Sequence, residues 1–110
     1  MPDKRRTAAS KRTNLPRDSE KSKKFIKDWE RLSRSGKHDM KQLKEAMILL
    51  IANDAPLSAE WRDHELTGEF SDMRECHIKG DLLLLYQIRD IPNGEIIAFT
   101  RAGTHSEIFS

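Results

Sequence analysis

Three histidines in the second half of the chain stand where they could move protons. They are His64 in Asp63-His64-Glu65-Leu66, His77 in Glu75-Cys76-His77-Ile78-Lys79-Gly80-Asp81, and His105 in Arg101-Ala102-Gly103-Thr104-His105. A free imidazole titrates at roughly pH 6.5, so a pair can both take and give a proton at working pH. Arg101 adds a planar fork suited to a phosphate, Asp81 a carboxylate, and Phe109 an aromatic surface. These residue types are the kit for cleaving RNA without a metal. In that reaction the ribose 2′-OH attacks the adjacent phosphorus, which requires a base for its proton, an acid for the leaving 5′-oxygen and positive charge on the phosphorane.

Size limits what can surround them. A chain of 110 residues allows one domain that buries somewhat over ~60% of its unfolded surface, enough for one modest core. A large cofactor fold is excluded, and no cofactor is expected. The single cysteine, Cys76, has no internal disulfide partner, and the first residues lack the apolar stretch of a signal peptide, so a reducing, cytoplasmic setting is expected. The longest apolar run, residues 46–52, is too short to span a bilayer, so no membrane partner is expected.

The net charge of +2 hides an asymmetry: residues 1–45 carry +8 and residues 46–110 carry −6. A basic half can track an anionic backbone, while an acidic half around the histidines argues against loose, purely electrostatic nucleic-acid binding. Most of these lysines read as a solvated helix face.

Residues 1–12 are rich in Lys, Arg, Ser and Thr and read as a disordered basic arm, leaving residues 13–110 as the folded domain. Residues 13–17 could form an edge strand, where Pro16 is tolerated. From Ser19 onward, Phe25, Trp29 and Leu32 fall at i, i+4 and i+7 with Ile26 alongside, predicting an amphipathic helix that stops at Gly36. A second helix opens at Asp39, with Gln42 completing a capping-box pattern and Leu43, Ala46, Met47, Leu50 and Ile51 as its buried stripe. It ends at Asn53-Asp54-Ala55-Pro56, because the residue before proline is pushed out of the helical region. After Pro56 the period becomes two. Arg74, Cys76 and Ile78 alternate with Glu75, His77 and Lys79, which sets His77 on the face opposite Cys76. A turn at Lys79-Gly80-Asp81 leads to a central strand over residues 82–88, a hairpin loop over residues 90–94 and a return strand over residues 95–101. The expected fold is α+β, an N-terminal helical hairpin packed on a small, mainly antiparallel sheet.

From Asp63-His64-Glu65-Leu66-Thr67-Gly68 through Arg74-Glu75-Cys76-His77 and Asp81 to Arg101-Ala102-Gly103-Thr104-His105-Ser106-Glu107-Ile108-Phe109, the chain resembles the YafQ branch of the RelE superfamily. These are bacterial toxins of type II toxin–antitoxin modules. The resemblance covers residues 19–110 in element order. It implies a compact RelE-like fold, cleavage of messenger RNA in the A site of the bacterial ribosome, and a cognate antitoxin partner. It also implies that operator DNA is bound only through the antitoxin. The antitoxin would wrap the toxin over its basic helices with acidic and apolar residues. The family's functional positions fall on His64, His77, Asp81, His105 and Phe109, with Arg101 in the matching motif. Leu82 stands where close relatives commonly carry tryptophan, which removes a stacking ring there.

On this basis His105 is assigned to proton transfer with His64 or His77 as its counterpart, each worth ~10²–10⁴ in rate. Asp81 would orient an imidazole or support its charged form, Arg101 would bind the scissile phosphate, and Phe109 would stack on a base at roughly 1–3 kcal/mol. Each residue also has a plain structural reading. A lone strand histidine is more often structural than catalytic, Arg101 could pair with Glu95 or Asp90, and Phe109 could pin the tail to the core. Trp29 and Trp61 are expected to pack, and His38 to be solvent-exposed. A zinc site is the next competitor, disfavoured because the histidine spacings contain no His-x-His or His-Glu-x-x-His pair. A gyrase-directed binding toxin of the same fold is the non-enzymatic alternative.

Overall fold

The computed structural model describes residues 15–109. The expected basic arm over residues 1–12, and most of the domain boundary near Thr13, lie outside the described residues. Strand β1 runs Asp18–Lys21, helix α1 Lys23–Ser35 and helix α2 Met40–Ala52. Strands β2 His64–Glu65, β3 Arg74–Lys79, β4 Leu82–Ile91 and β5 Gly94–Thr104 follow, and helix α3 His105–Phe109 closes the described chain. The sheet order is β1-β5-β4-β3-β2, antiparallel except where β1 pairs with β5.

Two expectations near the start are corrected. Of the expected edge strand at residues 13–17, the first two lie outside the described residues and 15–17 form no strand; the edge strand is Asp18–Lys21, and α1 begins at Lys23 rather than near Ser19. The junction is Ser22, whose hydroxyl accepts from Phe25 N at 2.9 Å as N-cap and donates to the Thr100 carbonyl at 2.8 Å. The four residues before it, Asp-Ser-Glu-Lys, are all exposed and are held by main-chain pairing with Ile96 to Phe99, so they carry no hydrophobic pattern. The second helix is as expected, with the Asp39 carboxylate accepting from Lys41 N and Gln42 N. It closes on Asn53 in the left-handed conformation, three residues before Pro56.

The strands are longer than the sequence pattern implied. β4 continues to Ile91 and β5 runs from Gly94 to Thr104, leaving Pro92-Asn93 as a two-residue hairpin loop. Leu85 pairs with Arg101 and Tyr86 with Phe99, so Thr100 is an extra residue, a β-bulge in β5.

Both helices cover one face of the sheet. Phe25, Leu32, Leu43, Ala46, Met47 and Leu50 pack there with Leu82, Leu84, Tyr86, Ile97 and Phe99. Each buried Leu, Ile, Met or Phe side chain among them contributes about 1.5–3 kcal/mol. The opposite face carries a smaller cluster of Leu83, Leu85 and Ile108, flanked by Leu66, Phe70, Met73 and Phe109. β4 is thus covered on both sides, which is why it reads as a continuous apolar run. Leu82 is 1% exposed within the helix-side core, and Trp61 packs there too, with Trp29 half-buried against it.

Candidate functional site

The three candidate histidines gather on the sheet face opposite the helices. Register puts them there: His64 lies opposite Glu75, Glu75 opposite Leu85, His77 opposite Leu83, and Leu83 opposite Gly103. Residues directly paired across strands share a face, so His64, Glu75, His77, Leu83 and Leu85 all project from this side, with Cys76 on the other. Burial pushes the Cys76 thiol up to about 12, which makes it an inert core residue.

The two strand histidines converge on a carboxylate that the sequence reading did not single out. Glu75 Oε1 lies 3.3 Å from His64 Nε2 and 3.4 Å from His77 Nε2, and the two rings are 5.9 Å apart. Glu75 is only 7% exposed, and its three-residue segment Glu-Cys-His is the signal that could have found it, since positions i and i+2 of a strand share a face. The donor atoms of His64, Glu75 and His77 all lie within 4.8 Å of one another, a set that could hold a metal ion. His64 is oriented from behind. Its Nδ1–H donates to the Arg62 carbonyl at 2.8 Å, in a turn where Arg62 adopts φ 49°. Next to it, Asp63 accepts from Tyr86 Oη at 2.6 Å and from Arg74 Nε at 3.2 Å. Burial, reinforced by Asp63, pushes the Tyr86 hydroxyl far above its ordinary value, so it remains a donor and pins β2 to the sheet.

His105 is placed by a capping box. Thr104 N donates to Glu107 Oε1 at 2.8 Å and Glu107 N donates to Thr104 Oγ1 at 3.3 Å, which starts α3 with His105 as its first residue. The Thr104 N–H, backed by the charge of Arg31, holds the Glu107 carboxyl below its usual range. Gly103 leaves room for this arrangement, because a Cβ there would meet Glu107 Oε1 at 2.9 Å and Arg31 Nη2 at 3.1 Å. The exposed His105 ring lies 4.8 Å from Phe109, which in turn meets Phe70 edge-on at 5.0 Å. Half-buried Phe109 therefore anchors α3 and still offers part of its ring to solvent. His77 and Gly103 flank Leu83 across the sheet, so two strand spacings, about 10 Å, separate the strands that carry His77 and lead into His105.

Asp81 and Arg101 sit apart from the imidazoles. Asp81 is exposed in the β3–β4 turn and lines a hollow with Arg31, Lys37, His38, Thr104 and Glu107. It is nonetheless at the end of the sheet that carries His105, since Leu82 and Thr104, their respective neighbours, are paired. His38, expected to be exposed, is half-buried in this hollow. Arg101 does not pair with Glu95, which is engaged by Arg17 at 2.8 Å. Its partner is Asp28 of α1, which accepts from Arg101 Nε at 2.8 Å and Nη2 at 3.3 Å. Asp28 also accepts from Ala102 N at 3.0 Å and Arg31 Nη1 at 2.8 Å. Burial works against a charge at Asp28, but the bonds from Arg101, Ala102 and Arg31 outweigh it and hold the carboxyl below the ordinary range. Two of the guanidinium nitrogens, Nε and Nη2, are thus committed to Asp28.

A family model described as bacterial toxin of type II toxin–antitoxin system, YafQ, matches residues 17–110. The mRNA interferase toxin YafQ of Escherichia coli is 37% identical over 95 residues, which cover 86% of this chain and 98% of that protein. The crystal structure of the E. coli DinJ–YafQ complex matches with TM-score 0.73 and 37% identity, covering 86% of this chain and 99% of that one. The crystal structure of a metal-bound toxin from Helicobacter pylori matches with TM-score 0.72 and 43% identity, covering 84% and 98%.

Proposed function

Because the chain belongs to the YafQ family of bacterial type II toxin–antitoxin toxins, endoribonucleases of the mRNA interferase kind, we propose that it cuts messenger RNA on the ribosome by metal-independent acid–base attack of the 2′-OH. The observation that carries this reading is the single face bearing three imidazoles, His64 and His77 on one side of Leu83 and His105 on the other. A gap of about 10 Å between strands admits a phosphodiester with a hydrogen bond at each end. His105 transfers a proton at one apical oxygen, and His77 or His64 serves the other, both oriented by Glu75. Phe109 gives a neighbouring base a stacking surface, and the partly exposed guanidinium of Arg101 supplies positive charge. Asp81 acts at the His105 end of the sheet, steadying the imidazole or its charge.

The protein partner is an antitoxin, as in the DinJ–YafQ relative. Its segment fits the apolar groove of about 420 Å³ between α1 and α2, lined by Phe25, Ile26, Trp29 and Met47 and rimmed by Lys21 and Lys44. An acidic amphipathic helix complements that lining.

The test is cleavage of messenger RNA on programmed ribosomes by wild type and by His105→Ala, His77→Ala and His64→Ala. The expected products carry 2′,3′-cyclic phosphate and 5′-hydroxyl ends. His105→Ala should lose ~10²–10⁴ in rate with its melting temperature retained, and the other two comparable or smaller amounts. Full activity of folded His105→Ala would overturn the assignment. Intact messenger RNA with double-strand DNA breaks on expression would point to a gyrase-directed toxin instead.

A further inference from the structure

Helix α3 is five residues long, far below the roughly 12–15 at which a helix holds itself in water, so the direction of His105 has to be imposed from outside it. His64 is fixed through its own ring nitrogen by the Arg62 carbonyl. His105 is exposed and packs on Phe109, so its ring goes where its backbone goes. Ile108 and Phe109 anchor the far end of α3 in the smaller apolar cluster. The near end, which carries His105, is closed by the Glu107 carboxylate on Thr104 N. That carboxylate is in turn held from α1. Arg31 donates from Nη2 to Glu107 Oε1 at 3.3 Å and to the Ala102 carbonyl at 3.4 Å, and from Nη1 to Asp28 Oδ1 at 2.8 Å. Asp28 is 2% exposed and also accepts from Ala102 N, so both main-chain polar groups of Ala102 are tied to α1. Bonds to three partners fix the plane of the Arg31 guanidinium and aim Nη2 at Glu107. Gly103 lets the pair close over β5, since a Cβ there would intrude on both members.

We propose that Glu107 is a positioning residue for His105, and that Arg31, anchored on Asp28, positions Glu107. Neither touches the reacting atoms. The Arg31–Glu107 pair is a surface contact, with side chains 44% and 38% exposed, and pairs of that kind add little to stability. Its worth is geometric. A proton-transfer group displaced by about 1 Å can lose ~10²-fold in rate, so removing the pair should separate activity from stability, which a merely structural role would not do. Asp28 and Arg31 lie three residues apart on one face of α1, and through them the helix grips the segment of β5 that leads into His105 at Arg101, at Ala102 and, by way of Glu107, at Thr104. The effect on cleavage rests on the proposed role of His105 in proton transfer, whereas the placement of the ring does not.

The experiment combines single-turnover cleavage on programmed ribosomes, ribosome affinity, thermal melts and imidazole NMR of the labelled full chain. Glu107→Ala should cleave about 10–100-fold more slowly at saturating toxin, with ribosome affinity within about threefold of wild type and a melting temperature lowered by no more than about 8 °C. Glu107→Gln keeps an acceptor for Thr104 N and should stay within about threefold of wild type. In a His105→Ala background Glu107→Ala should cost nothing further, and Arg31→Ala should add nothing to Glu107→Ala. The His105 ring signals should shift in Glu107→Ala as the ring leaves Phe109, while those of His64 and His77 stay in place. Unmoved His105 signals, a loss that glutamine does not rescue, or an equal loss in the His105→Ala background would each overturn the positioning of His105 by Glu107. Independent, additive losses would overturn the part assigned to Arg31. Displaced His105 signals with cleavage at the wild-type rate would leave the positioning standing and overturn His105 as the proton-transfer group.

Discussion

Asp28→Asn tests whether the Asp28–Arg101 pair is what holds β5 against α1. Asp28 is 2% exposed, and its carboxylate receives four donors, two from Arg101, one from Ala102 N and one from Arg31. Asparagine keeps one acceptor oxygen but turns the other into an NH₂ that faces guanidinium and main-chain donors. Breaking a buried ion pair from one side costs about 3–5 kcal/mol, since the remaining charge is left with unmet solvation. For a domain of this size ~1 kcal/mol moves the melting temperature by about 4–8 °C, so a fall of at least about 12 °C is expected. The pH dependence gives an independent check. Asp28 is held below its ordinary value in the folded state, so its contribution is complete above the unfolded value and disappears as pH falls through the folded one. Thermal melts of wild type and Asp28→Asn should therefore differ by a constant amount between about pH 5 and pH 7, with the gap starting to close below about pH 4 and disappearing only as pH falls through the lowered folded value. A melting temperature within about 3 °C of wild type at pH 7, or a gap that persists in acid, would refute this account of the pair.

Arg101→Lys should lower stability by about 1.5–3 kcal/mol, because lysine forms one charge-assisted bond to Asp28 where arginine forms two; near-normal single-turnover cleavage by this variant would remove Arg101 from phosphate binding. Cys76 should resist iodoacetamide at pH 8 in the folded protein and react once unfolded, since burial pushes its thiol up to about 12, and stoichiometric labelling of native protein would contradict that. Ile26→Glu, at a position 46% exposed beside the helix groove, should weaken a co-purified antitoxin by about tenfold without changing ribosome cleavage; unchanged affinity would move the antitoxin elsewhere.

What could be read ahead of the structure depended on whether a residue's role is local. Phe25 and Leu32 mark α1, Asp39 caps α2, and the alternation through Cys76 and His77 sets the two faces of β3, because each of these signals repeats within a few residues. β1 left no such mark, for its four exposed residues are held by the main chain of a strand about eighty positions away. The partner of Arg101 was equally hidden, since Asp28 lies 73 residues earlier and looks like one more charge on a helix. Glu75 and the Thr104–Glu107 capping box were missed although each leaves a local trace, the first as the strand neighbour of His77 and the second as a Thr-x-x-Glu pattern. His64, His77 and His105 stood out by residue type, while the carboxylate that joins two of them depends on the pairing of β2 with β3.

The parallel pairing of β1 with β5 also fixes when the molecule can be assembled during its own synthesis. Asp18–Lys21 is made early and has no strand to lie beside until Ile96 to Phe99 has been made, and Arg17 and Ser22 likewise wait for Glu95 and Thr100. β5 is both the strand that β1 needs and the strand that delivers His105. A nascent chain still threaded through its ribosome as far as β4 thus has neither a closed sheet nor the third imidazole. β5 therefore has to be made before β1 can pair and before His105 can join the face that carries His64 and His77.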